Sequence, residues 1–88
     1  MLNENNSTLN LLPSQVRAAR ALISLSQIDL AKLSGASLST IRNFEAGRST
    51  PIANNLNAIR RALEKAGVEF IAENGSGAGV RHSKPVWL

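Results

Sequence analysis

Two serines and two glycines place the tightest constraint on this chain. Ser26 precedes a short helical run from Gln27 to Ser34, Gly35 follows that run, Ser37 precedes a second run, and Gly47 follows the second. A serine hydroxyl accepts a hydrogen bond from an otherwise orphan amide at a helix start. Glycine takes the left-handed conformation that ends a helix abruptly. The spacing therefore predicts two short helices, the second from about Ser37 to Ala46, joined by a turn built on Gly35. Ala31 is small enough to let the two backbones cross closely, while Leu30 and Ile41 lock the pair from beneath and Phe44 points inward beside Ile41.

The flanks read as two further helices and a small sheet. Residues 1–12 read as a loose polar arm. Pro13 suits an early helical position because its missing N–H would be unpaired there. Val16, Ala19, Leu22 and Ile23 recur at helical spacing with Arg17 and Arg20 beside them, and this first helix is expected to stop near Ser24 or Leu25. Arg48 to Pro51 reads as a turn, with Thr50 as the cap of a fourth helix and Pro51 at its first position. Ile52, Leu56, Ile59 and Leu63 then share one face of a long helix that Gly67 stops. Beyond it, Val68 to Ala72 and Val80 to His82 have strand character around the turn-prone Asn74 to Gly79, which predicts a hairpin; the alternative is a tail that begins in the glycines. The expected fold is mainly α: four helices followed by a short C-terminal β-hairpin. Residues 13–67 form the main domain, and 68–88 form the hairpin and tail, a candidate dimerisation element.

Composition removes several functions. With 88 residues the chain makes one module, too small for an enzyme-sized cleft between layers. It has no Cys and one His, so a disulfide scaffold, a thiol nucleophile and a thiolate metal site are excluded. No Gly-rich phosphate loop precedes a basic residue. No catalytic residue, metal or cofactor is expected, and the protein reads as a non-enzyme. No apolar run approaches the roughly 18 residues of a membrane span, and the polar opening lacks the centre of a signal peptide. A cytoplasmic protein without membrane contact is the expectation. The net charge of +4 favours polyanionic partners.

The series Gln27-Ile28-Asp29-Leu30-Ala31, then Gly35, Ser39-Thr40-Ile41 and Glu45-Ala46-Gly47 resembles the phage-repressor and Cro-like (XRE) helix-turn-helix family. The likeness covers roughly residues 13 to 66 and rests on several residues at joint separations. It implies a lambda-repressor-like helix-turn-helix bundle that binds double-stranded DNA. By the same resemblance, Gln27 holds a phosphate at a helix N-terminus. Leu38, Ser39 and Asn43 address base edges, Ser37 and Arg42 stand beside them, and Arg48 meets the DNA backbone. The chemistry suits these roles unevenly: Asn43 matches adenine, Arg42 guanine and Leu38 a thymine methyl, whereas Ser37 also reads as a helix cap and Arg42 as a solvated cation. Arg20 and Glu45 are implied to form an internal salt bridge. Ser24 departs from the family pattern, which often has Gly there, and the segment after Gly67 does not resemble the fifth helix of many phage repressors.

The resulting expectation is a transcriptional regulator, a repressor or autoregulator, that reads a palindromic operator as a homodimer. Such dimers set two recognition helices about 34 Å apart. One alternative is an antitoxin that also binds a toxin protein, with Pro85-Val86-Trp87-Leu88 read either as its hook or as a segment that folds back onto the core; another is a protein-interaction module without a DNA role.

Overall fold

The computed structural model describes residues 11–84. Four helices are followed by an antiparallel pair of strands: α1 (Pro13–Leu22), α2 (Gln27–Ser34), α3 (Leu38–Glu45), α4 (Ala53–Ala66), β1 (Val68–Ile71) and β2 (Gly79–His82). The mainly helical bundle with a C-terminal hairpin is the architecture expected from the sequence. Of the arm expected over residues 1–12, residues 1–10 lie outside the described residues. Leu11 is packed into the core, so the folded unit already includes that position.

Local chemistry sets the boundaries of the central pair. The Ser26 hydroxyl accepts from the Asp29 amide at 3.0 Å, and the Ser37 hydroxyl accepts from the Thr40 amide at 3.0 Å. Between them Gly35 adopts φ +81°, a left-handed value that a side chain resists, and its amide donates to the Ala31 carbonyl. Ser24 also has a positive φ, +54°. That left-handed geometry, which glycine takes most easily, ends α1 at Leu22, a little before the stop expected at Ser24 or Leu25.

The start of α4 corrects the sequence reading. Thr50 and Pro51 precede the helix; Ile52 is its N-cap, in extended conformation with ψ 158°, and no side chain caps the end. Ile52 is 69% exposed, so the inward face begins at Leu56 and runs through Ile59, Ala62 and Leu63. The apolar spacing extended by chance one turn beyond the helix, since Ile52 matches the period without sharing the backbone conformation. On α1, Val16 and Ala19 are buried as expected, whereas Leu22 is 37% exposed at the helix end.

These side chains converge on one core. Val16 and Ala19 from α1, Leu30 from α2, Ile41 and Phe44 from α3, the inward face of α4 and Val68 of β1 form a continuous cluster. The hairpin pairs Val68 with His82, Glu69 with Arg81, Phe70 with Val80 and Ile71 with Gly79. Strand alternation turns Phe70 and Val80 towards the core and leaves the Glu69–Arg81 ion pair exposed. The Arg81 guanidinium hydrogen-bonds the Glu69 carboxylate and holds its pKa below the usual range.

Buried polar groups join the apolar parts. Glu45 on α3 is 4% exposed, and its carboxylate receives a two-pronged guanidinium from Arg20 on α1, at 2.7 Å on each oxygen. A planar guanidinium matches a carboxylate in this geometry. Arg20 also donates to the Leu25 carbonyl at 3.0 Å, which ties in the chain between α1 and α2. Hydrogen bonding to Glu45 raises the Arg20 pKa, against partial loss of hydration. Arg17, one turn earlier, donates to the Glu45 backbone carbonyl.

Gln15 is the second polar junction, and no sequence signal had singled it out. It is 5% exposed; its carbonyl oxygen accepts from the Leu12 amide at 2.9 Å, and its amide nitrogen donates to the Gly79 carbonyl at 2.9 Å and the Ile71 carbonyl at 3.3 Å. One side chain thus closes the start of α1 and fastens the loop end of the hairpin to it. The reach of Gln15 back to Leu12 is half of a capping box, a pattern hidden in the sequence because its first position is usually Ser or Thr. Among the described residues no buried side-chain nitrogen or oxygen lacks a partner.

Two stability measurements test these junctions. Arg20→Met strands the Glu45 carboxylate and is expected to lower unfolding free energy in urea by about 3–5 kcal/mol. Adding Glu45→Leu should recover part of that loss, and a double variant no more stable than the single would contradict the pairing. Gln15→Leu removes the bonds to the Leu12 amide and to the Gly79 and Ile71 carbonyls, at a cost of about 1–3 kcal/mol. Its amide exchange should quicken in Val68–His82 more than in α4; uniform acceleration would count against a local fastening role.

Candidate nucleic-acid interface

Helix α3 is divided lengthwise. Ile41, Phe44 and Glu45 are buried, and Ser39, Arg42 and Ala46 are exposed, with Leu38 and Asn43 half-buried between. Residues spaced by three and four share a helical face, so positions 39, 42, 43 and 46 make an outer stripe and 41, 44 and 45 an inner one. The outer stripe carries hydroxyl, guanidinium and carboxamide groups over a backbone held rigidly from behind.

The residues singled out from the sequence occupy different parts of this surface. Ser37 is the N-cap of α3: its oxygen takes the Thr40 amide, and its hydroxyl donates to the Thr40 side-chain oxygen at 2.9 Å. Its hydroxyl is thereby engaged in starting the helix. Leu38 and Ser39 follow on the first turn. Asn43 and Arg48 are brought together at the far end, where the Arg48 amide donates to the Asn43 carbonyl at 2.9 Å and its guanidinium lies 3.4 Å from the Asn43 side-chain oxygen. The turn through Gly47, with φ +76°, brings Arg48 back against the end of α3.

Gln27 stands apart from this stripe, at the first position of α2. It is half-buried, and its amide nitrogen donates to the Glu45 carboxylate at 2.9 Å. The carboxylate therefore gathers Arg20 from α1, Gln27 from α2 and its own helix α3 at one point. The amide nitrogen bears two hydrogens, and this bond engages one of them.

Sequence reasoning overlooked Arg17. It was read as a flank of the apolar face of α1, yet it is exposed and tied to the C-terminal carbonyl of α3. Its position three residues before Arg20 was the available signal, because that interval puts both guanidiniums on one face of α1.

The division of α3 into a buried face and a polar outer stripe, with α2 crossing behind it, is the geometry by which a helix is presented to a DNA major groove. No curated protein shows a significant match to this sequence. A family model described as Helix-turn-helix, of the XRE type, matches residues 16–70, more than half of the chain. The match runs from the first residue of the core on α1 into β1, and it spans the complete turn between α2 and α3. The chain therefore belongs to the XRE-type helix-turn-helix family, whose members are DNA-binding domains of the transcription-regulator type.

Proposed function

We propose that this protein represses transcription by binding a palindromic operator as a homodimer, with α3 laid in the major groove. The observation that carries the reading is the outer stripe of α3, polar and accessible, on a helix whose opposite side is fixed by Ile41, Phe44 and the buried Glu45. Ser39 and Asn43 reach base edges in this reading, and Leu38 lies against a thymine methyl. Arg42 pairs with guanine or a phosphate. Arg48, at the end of α3, neutralises the DNA backbone, and the second amide hydrogen of Gln27 meets a phosphate at the start of α2. There the partial positive charge of the helix N-terminus adds to the attraction. Ser37 serves this surface by setting the first turn of α3.

The dimer is assigned to the C-terminal part of the chain. A two-stranded sheet leaves strand edges with unpaired backbone groups, and such edges pair readily with a second copy. Two copies related by a twofold axis would set their recognition helices one turn of DNA apart.

Selection from a random duplex library tests the base-reading assignment. The full chain is expected to yield a palindromic consensus, and Asn43→Ala to lose preference at one position per half-site at a cost of about 1–3 kcal/mol. A consensus unchanged by Asn43→Ala would remove that residue from base reading. Affinity should fall steeply with salt, and Arg48→Ala should reduce the slope of log K against log[salt] by about 1 without altering the consensus. Salt-insensitive binding would overturn the DNA reading itself.

The dimer has its own measurement. Light scattering of the full chain is expected to give twice the monomer mass, and His82→Pro, which removes a β2 backbone donor that faces away from β1, should shift the equilibrium towards monomer while helical circular dichroism persists. An unchanged dimer would take that strand out of the interface.

A further inference from the structure

At the C-terminal ends of α2 and α4 the surface holds an apolar cleft lined by Leu33, Ala62, Lys65 and Ala66. Leu33 is 58% exposed although it is a large aliphatic residue. The cleft has a volume of about 190 Å³. An apolar cavity of about 150 Å³ is enough to take up benzene, so this one has room for an aromatic ring.

The chain itself is led to that place. β2 runs antiparallel to β1, and β1 leaves the C-terminal end of α4, so β2 returns towards that end. Directly after β2 the Ser83 amide donates to the Gly67 carbonyl at 2.9 Å. Gly67 adjoins Ala66, a wall of the cleft. The next residues in the sequence are Lys84 and then Pro85-Val86-Trp87-Leu88, an apolar run. Extended chain covers about 3.3–3.6 Å per residue, so this run reaches about 13 Å. The sequence contains two Phe and one Trp. Phe44 is buried and Phe70 packs against the core; the third aromatic residue is Trp87.

We propose that residues 85–88 of the same chain dock on this cleft, with the Trp87 indole over Leu33, Ala62 and Ala66. Proline and valine favour the extended conformation that such a crossing needs. The Lys65 ammonium can approach the indole face, a favourable cation–π geometry. Leu33 lies at the end of α2, just before the Gly35 turn, so the docked segment would join the hairpin end of the molecule to the helix that supports α3.

Trp87 is the single tryptophan and so reports on its own position. In the full chain its emission is expected to be blue-shifted from that of a free indole side chain, with acrylamide quenching reduced by half or more. Leu33→Asp should return both to free-indole values while helical circular dichroism is unchanged. Leu33→Gln serves as the milder substitution should the aspartate disturb folding. Free-indole emission in the native chain would overturn the proposal, as would protection that survives both substitutions. Protection that vanishes on dilution, in step with loss of dimer mass, would place Trp87 in a second copy and overturn docking within one chain. None of these readings involves DNA, so the result stands apart from the operator assignment.

Discussion

The fold turns on one buried carboxylate. Glu45 is placed where a charge is costly, and its surroundings compensate with a bidentate guanidinium and an amide, each supplied by a different helix. The apolar core brings α1, α2 and α3 into proximity, but apolar contact is tolerant of small rotations. The Arg20–Glu45–Gln27 cluster is not: its bonds hold only at one rotation of α3 relative to the other two helices. A fixed orientation is what keeps the polar stripe of α3 outward, because a turn of a few tens of degrees would bring Phe44 or Ile41 towards the surface. Such a charged cluster trades some stability for directional definition.

Much of this arrangement was legible because it is local. Ser26, Gly35 and Ser37 each act on their own backbone or on residues three or four away, and the helices they bound follow accordingly. The inward faces of α3 and α4 follow from spacing alone. The Arg20–Glu45 pair is separated by 25 residues and has no local signal; it came from the family likeness, not from spacing. Gln15 escaped notice for a related reason. Its partners Ile71 and Gly79 are 56 and 64 residues away, and a polar residue in the first turn of a helix looks unremarkable until the sheet that covers it is in place. Ile52 shows the opposite error, in which periodicity suggested burial that the backbone does not provide.

The hairpin takes the place of a further helix in closing the bundle. Phe70 and Val80 cover the core between α1 and α4, and Arg60 of α4 lies 5.9 Å from the centre of the Phe70 ring. An isolated two-stranded hairpin is marginal in water. Here its stability is borrowed from the helices through Val68 in the core and through the Gln15 amide at its loop end. The sheet is consequently part of the folded unit rather than an appendage, and its position relative to α3 is fixed. A partner that pairs with its edge would receive a defined orientation of α3 as well.

Division of labour along α3 has a consequence for how such a domain diversifies. Among the described residues, no side-chain hydrogen bond joins those that hold the helix, Ile41, Phe44 and Glu45, to those that face outward, Ser39, Arg42 and Asn43. Substitution on the outer stripe therefore changes the chemistry offered to a groove with little effect on the orientation of the helix, since surface changes away from buried networks usually alter stability by about 0.5 kcal/mol or less. The inner stripe behaves differently, because any change there disturbs three helices at once. Specificity can drift while geometry is retained. That separation depends on the small side chains at the crossing and on Gly35, which allow α2 to support α3 from behind without intruding on its outer face.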